Sequence, residues 1–192
     1  MRTATVERNT KETQIKIELN LDGGDVSIST GIGFFDHMLT AFGVHGGFGL
    51  HVKVTGDLDV DTHHTVEDTG IALGMAFKEA LGDMGGIERY GTFFIPMDES
   101  LAQVSLDISN RPFLVFKAVF EQELCGDYET CVTEEFWRAF AMNAGITLHI
   151  IVPYGANSHH QIEAIFKAAA HALKIAVKKN ADGCVLSTKG VL

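Results

Sequence analysis

Apolar and polar residues alternate over residues 3–9 and again through Gln14-Ile15-Lys16-Ile17-Glu18-Leu19, the period of a strand with one buried face. Asp22-Gly23-Gly24-Asp25 supplies a turn to a further strand at Val26-Ser27-Ile28. The spacing then becomes helical: Phe34, Met38, Leu39 and Phe42 form one apolar stripe on a helix expected from Gly31 to about Gly43. Leu50-His51-Val52-Lys53-Val54 alternates as a strand, and the next helix runs from Thr62 to about Leu81, where Gly82, Gly85 and Gly86 break it. The second half repeats this order. Strands are expected over residues 92–95, 101–108 and 112–120, then a helix from about Thr130 to a stop at Gly145. A strand over 147–152 precedes the last and longest helix, Ser158 to about Lys179, and a Gly- and Lys-bearing tail closes the chain.

Strands grouped with two helices per half imply an α+β fold. The expectation is two similar halves, each a β-sheet with two helices on one face, related by internal duplication and packed with the helices between the two sheets. The pseudo-repeats span about 1–90 and about 91–192, and no low-complexity linker divides them, so they read as one unit.

The chemistry sits in a stretch written twice. Thr62-His63-His64-Thr65-Val66-Glu67 is echoed by Ser158-His159-His160-Gln161-Ile162-Glu163, and from His63 to His159 is 96 positions, half of the 192-residue chain. If each copy opens a helix, residues three and four apart share a face while adjacent ones point about 100° apart. One Glu then neighbours both histidines, and the two imidazoles of a pair diverge toward two different metal ions. Thr62 and Ser158 occupy N-cap positions, and Ser158 with Gln161 matches a capping box.

The formal net charge of -10 argues against nucleic acid or an anionic membrane as partner. The start of the chain shows no secretory signal and no run approaches a membrane span, which points to the cytoplasm. Cys125, Cys131 and Cys184 form no Cys-x-x-Cys pair, as suits reduced thiols. Asp98 and Glu99, between two strands, fit either substrate binding or a turn. A dinuclear metallohydrolase remains compatible with the repeated motif, whereas a metal-storing cage is disfavoured by the basic residues that storage would not need.

Beyond the repeat, an ordered set of motifs covers nearly the whole chain: Thr10-Lys11-Glu12-Thr13, Gly33-Phe34-Phe35-Asp36-His37-Met38-Leu39, Pro96-Met97-Asp98-Glu99, Asp107-Ile108-Ser109-Asn110-Arg111-Pro112, Phe166-Lys167 and Ser187-Thr188-Lys189-Gly190. Together with both His-His stretches it closely resembles the imidazoleglycerol-phosphate dehydratase family. The resemblance implies a histidine-biosynthesis enzyme that dehydrates imidazole glycerol phosphate to imidazole acetol phosphate. It implies two Mn²⁺ ions per active site, stabilising an imidazolate and then a diazafulvene-like species, in a homo-oligomeric 24-subunit cage whose sites lie between subunits. One ion would take His37, His64, Glu67 and His159; the other would take His63, His160, Glu163 and Glu135. The family usually has His in the last position, within Glu-His-Phe-Phe, where this chain has Glu134-Glu135-Phe136-Trp137. A carboxylate also suits Mn²⁺. Glu12, Glu67 and Glu163 are the implied catalytic carboxylates, Glu12 being a substrate-contacting group and the first candidate general acid/base. Arg89, Arg111, Lys167, Ser187 and Lys189 match the family's phosphate contacts.

Overall fold

A computed structural model describes all residues except 182, 189, 191 and 192. The first half runs β1 (Thr3–Asn9), β2 (Thr13–Asn20), β3 (Val26–Ser29), α1 (Gly33–Gly46), β4 (Gly49–Gly56) and α2 (His63–Leu81). The second runs β5 (Tyr90–Met97), β6 (Ser100–Ile108), β7 (Phe113–Lys117), β8 (Leu124–Cys125), β9 (Tyr128–Glu129), α3 (Val132–Ala144), β10 (Ile146–Tyr154) and α4 (Ser158–Ala176). Each half builds a four-stranded sheet of the same order, β1-β2-β4-β3 and β5-β6-β10-β7. In both, an antiparallel hairpin lies at one edge and a parallel pair at the other. Parallel neighbours need a crossover. α1 supplies it between β3 and β4, and α3 lies on the path from β7 to β10.

Alternation along the strands decides which face is covered. β2 buries Ile15, Ile17 and Leu19, and β6 buries Ala102, Val104, Leu106 and Ile108. On those faces α2 lies against β1 and β2, and α4 against β5 and β6. The helices pair across the halves, α1 with α4 and α2 with α3, so all four lie between the two sheets as expected. Rings from different helices meet there: Phe35 is 5.4 Å from Phe136, Phe136 is 5.2 Å from Phe166, and Phe77 is 5.3 Å from Phe140. Each fully buried phenylalanine contributes roughly 1.5–3 kcal/mol, against about 0–1 kcal/mol for an exposed ion pair. Ring packing therefore holds the halves together.

Several boundaries differ from the sequence reading. The last helix is not the longest: α2 and α4 both have 19 residues. The small β8–β9 hairpin had no periodic signal because each strand is two residues long. Gly145 does end α3, in the left-handed region at φ 71°. The N-caps are corrected. Asn157, not Ser158, caps α4, its side chain accepting from the backbone N–H groups of His159 and His160. Ser158 instead exchanges hydrogen bonds with Gln122. Thr62 precedes α2 but makes no cap bond; its hydroxyl donates to Glu129 Oε2 at 2.7 Å.

α2 and α3 approach closely through two glycines one turn apart. A Cβ on Gly70 would lie 2.6 Å from the Phe136 carbonyl oxygen, and one on Gly74 2.6 Å from that of Phe140. Replacing a helical glycine by alanine gains about 1 kcal/mol of propensity, whereas overpacking against backbone costs roughly 1–3 kcal/mol. Gly74→Ala should therefore lower the urea midpoint. Gly33→Ala, with nothing within 4 Å of its Cβ, should hold or raise it.

At the α1–α4 contact His45 Nδ1 lies 3.3 Å from His171 Nε2, and His171 stacks on Phe93 at 4.4 Å. Burial lowers the pKa of both imidazoles, with Lys174 adding to it at each, Lys167 at His45 and His45 at His171. A depressed folded pKa means that the unfolded chain binds protons first, so this contribution is complete above about pH 6.5 and is lost as pH falls. Stability should decline between about pH 7 and pH 5, and His171→Phe, which keeps a ring on Phe93, should flatten that slope in pH-dependent urea unfolding.

Candidate active site

The amino end of α4 is set by Asn157, whose Oδ1 lies 2.9 Å from His159 N and 3.4 Å from His160 N. This starts the helix with both imidazoles in its first turn and places Glu163 one turn further in. Packing of α1 on α4 brings His37 to the same place. His37 Nε2 is 3.4 Å and His159 Nε2 3.1 Å from Glu163 Oε2, while Lys167 Nζ is 2.7 Å from Glu163 Oε1. The Glu163 side chain is 8% exposed, against 53% for His37 and 45% for His159, so a buried carboxylate faces two half-open imidazoles. Burial pushes the Glu163 carboxyl up, but Lys167, His37 and His159 together outweigh it and hold the group below the ordinary carboxylate value. Donor atoms of His37, His159 and Glu163 lie within 4.8 Å of one another. Ligands about 2.1 Å from an octahedral cation sit about 3 Å apart when adjacent, so the donor set fits a divalent ion.

The copy on α2 is built differently. His63 Nε2 is 3.3 Å from Glu67 Oε2, the same i,i+4 contact as His159 with Glu163. His64 Nδ1 is 2.9 Å from Asp57 Oδ2, and that hydrogen bond, with Glu12, Asp57 and Asp61 adding charge, raises the His64 pKa. His160 Nδ1 lies 2.8 Å from Glu99 Oε2. The pair raises the His160 pKa and, helped by donors from Asn157 N and Ser100, holds Glu99 far below the carboxylate range. Glu135 lies 3.3 Å from Arg138 Nε. Among the described residues, His37, His159 and Glu163 are the one group of three such donors at metal spacing. Of the ligand set expected for the first ion, the chain thus unites His37 and His159, with Glu163 of the second set; His64, Glu67, His63, His160 and Glu135 stand apart from that cluster.

Glu12 sits exposed in the turn between β1 and β2, its backbone N–H donating to Thr10 Oγ1 at 3.1 Å. Two of the expected phosphate contacts converge on one acid. Arg89 binds Asp107 through Nε at 2.6 Å and Nη2 at 3.1 Å, and donates through Nη1 to the Leu186 carbonyl. Arg111, 68% exposed, reaches Asp107 Oδ2 at 3.3 Å. The hydrogen bond to Asp107 raises the Arg89 pKa further, so the guanidinium stays charged. Ser187 lies beside this stretch, its N–H donating to the Val185 carbonyl; Lys189 lies outside the described residues. Arg89 N also donates to the Ala176 carbonyl at the far end of α4. Seventeen residues at a rise of 1.5 Å put that end about 25 Å from His159. Within one chain, the arginine pair and the His37 cluster are therefore far apart.

Sequence reasoning missed Asp57, Gln122 and Glu129 and left the role of Glu99 open. Each is a neighbour of a helix start through the tertiary fold and shares no periodicity with it. Glu99, Gln122, Asn157 and His159, with Leu124, Cys125 and Ala156, line an open cleft of about 350 Å³ beside the α4 start.

Comparison with known proteins gives the family. A family model described as imidazoleglycerol-phosphate dehydratase matches residues 30–173. The imidazoleglycerol-phosphate dehydratase of Clostridium acetobutylicum is 59% identical over 98% of this chain and 97% of its own, and that of Ruminiclostridium cellulolyticum is 56% identical over 100% of both. The crystal structure of the Staphylococcus aureus imidazoleglycerol-phosphate dehydratase has TM-score 0.85 at 43% identity, covering 93% of this chain and 99% of that one. That of the Pyrococcus furiosus protein, solved in complex with (S)-C348, has TM-score 0.86 at 38% identity, covering 97% and 100%. Full-length identity and a shared fold agree, and the chain belongs to the imidazoleglycerol-phosphate dehydratase family, the hydro-lyases of histidine biosynthesis.

Proposed function

We propose that this chain converts imidazole glycerol phosphate to imidazole acetol phosphate with two Mn²⁺ ions per active site, each site being completed by neighbouring subunits of a homo-oligomeric 24-subunit cage. The observation that carries the metal reading is the convergence of His37, His159 and Glu163 donors within 4.8 Å. Imidazole and carboxylate together suit a divalent first-row ion. Bound there, Mn²⁺ would supply Lewis acidity to the substrate ring, whose side chain must lose a carbon-bound proton that no carbonyl acidifies.

The chain's own residues perform the remaining tasks. Lys167 neutralises the second oxygen of Glu163, so the cluster presents one carboxylate oxygen and two imidazoles to the ion. Glu12, exposed on its turn and close enough to influence His64, is the group to take the proton from carbon and return one to the departing hydroxyl. The product enol then becomes the ketone. Arg89 is held rigid by Asp107, and Arg111 keeps most of its fork exposed for the phosphate. Lys167 adds a third cation, one helical turn from Glu163.

The distance between parts favours shared sites. With the arginine pair about 25 Å from His159 along α4, one chain does not bring both to a small substrate, so a complete site needs a second chain. The net charge of -10 speaks against nucleic acid or a membrane surface, while the local pair Arg89 and Arg111 suits a small anion. No described helix is long and apolar enough to cross a membrane, and the reading includes a cytoplasmic setting.

Purified protein incubated with Mn²⁺ and imidazole glycerol phosphate should yield imidazole acetol phosphate, lose that activity in EDTA and regain it with Mn²⁺. Free phosphate in place of the ketone would overturn the reading in favour of a metallohydrolase. Glu163→Ala should lower kcat/KM by at least about 100-fold, since it removes a ligand at the reacting centre. Arg111→Ala and Glu163→Ala proteins, each inactive alone, should recover part of the parent activity when co-expressed and assembled together. A mixture as inactive as its components would show that sites are not shared.

A further inference from the structure

Each His-His pair holds one imidazole gripped from off its own helix. Asp57 Oδ2 lies 2.9 Å from His64 Nδ1, and Glu99 Oε2 lies 2.8 Å from His160 Nδ1. An ionised carboxylate only accepts hydrogen bonds. In both rings Nδ1 therefore carries a proton, and in the neutral imidazole the lone pair lies on Nε2. The first histidine of each pair differs, since the Nε2 of His63 and of His159 faces the glutamate on its own helix.

We propose that Asp57 and Glu99 are positioning carboxylates that lock His64 and His160 as Nδ1–H tautomers and present Nε2 to the metal. The inference rests on the metal reading above. It requires no contact between either carboxylate and the ion: a ligating imidazole commonly donates its other N–H to such a partner, which fixes ring orientation and raises basicity.

The internal duplication strengthens the case. Asp57 directly follows β4, so its counterpart would follow β10, where Gly155 stands after Tyr154. Glu99 lies in the turn between β5 and β6, and the matching turn between β1 and β2 holds Glu12. The two carboxylates come from non-equivalent positions, yet they reach the same nitrogen of the same member of each pair. A copied surface ion pair would have kept its position.

Each carboxylate is also committed to this contact. Glu99 Oε1 accepts from Ser100 Oγ at 2.7 Å, Asn157 N at 2.9 Å and Ala156 N at 3.3 Å, which ties it to the α4 cap and leaves Oε2 for His160. Asp57 Oδ1 is buried without a hydrogen-bond partner among the described residues. The hydrogen bond that holds this side chain is thus the one Oδ2 accepts from its imidazole. Asp98 Oδ2 is 3.8 Å from His160 Nε2, beyond hydrogen-bond reach, and does not occupy the free nitrogen.

The test uses the full chain and the variants Asp57→Ala, Asp57→Asn, Glu99→Ala and Glu99→Gln. Mn²⁺ affinity is measured by equilibrium dialysis, and imidazole ¹⁵N spectra are recorded before Mn²⁺ is added. The parent should show His64 and His160 protonated at Nδ1. Each alanine variant should bind Mn²⁺ roughly 10–100-fold more weakly with parent far-UV circular dichroism, and should lose the Nδ1–H preference at its own histidine. Asn and Gln, whose amide oxygen still accepts from Nδ1–H, should recover most of both. A parent spectrum with Nε2–H at these two rings, or alanine variants matching the parent in affinity and tautomer, would overturn the proposal. The spectra of the parent decide the tautomer even where an alanine variant fails to fold. A parent that takes up no Mn²⁺ while its rings are protonated at Nδ1 would sink the metal reading and leave the tautomer lock standing.

Discussion

Contact between the aromatic rings of α1, α3 and α4 sets the position of everything polar in this molecule. Phe35, Phe136 and Phe166 are fully buried between the two sheets and touch in sequence across three helices. Interiors packed to crystal-like density do not slide continuously, so α1 is fixed in depth against α4. One helical turn of slip would move His37 by about 5.4 Å, more than its whole 3.4 Å separation from Glu163. Phe34 carries the same constraint to the surface, its ring meeting His159 edge-on at 4.9 Å and Tyr128 at 5.3 Å. Ligand geometry here follows from hydrophobic packing.

That packing also creates the electrostatic problem that the site resolves. Bringing α1 onto α4 leaves Glu163 almost wholly buried, and an unpaired buried carboxylate costs several kcal/mol. Lys167 on one oxygen and two imidazoles on the other offset that penalty. The charge thus stays on the carboxylate, as a metal ligand requires. The groups that make the buried charge tolerable are the groups that converge on a candidate ion, so local stability and binding competence share one origin.

Much of this was legible in the chain. Alternation in β2 and β6 marked the buried faces correctly, and the 96-residue repeat announced two sheets of one topology. The i,i+4 contacts of His63 with Glu67 and His159 with Glu163 follow from helical spacing alone. Contacts from outside the helix were not legible. Ser158 has the side chain of a cap, but the adjacent Asn157 takes the role while Ser158 is drawn to Gln122, a residue 36 positions away. Asp57 and Glu99 belong to no periodic pattern; only the closing of each sheet beside its helix start brings them to an imidazole. Periodicity reports faces, whereas the partner of a polar atom is chosen by tertiary approach.

The two halves share a topology but have diverged in charge. The α2 position that corresponds to Lys167, 96 residues earlier, is Ile71, so Glu67 has no ammonium one turn along its helix. On α3, the helix that packs against α2 as α1 packs against α4, Glu135 replaces the imidazole expected by resemblance and is bound by Arg138. The α4 side therefore sets Glu163 against a lysine, and α3 sets Glu134 and Glu135 against an arginine on its exposed face. Lysine beside Glu163 offsets the burial of a carboxylate only 8% exposed, whereas Glu67, 41% exposed, keeps its hydration without such a partner. A symmetric duplication would have given both helix pairs the same charges; Ile71 and Glu135 leave the α2–α3 side without the lysine that meets Glu163 on α4.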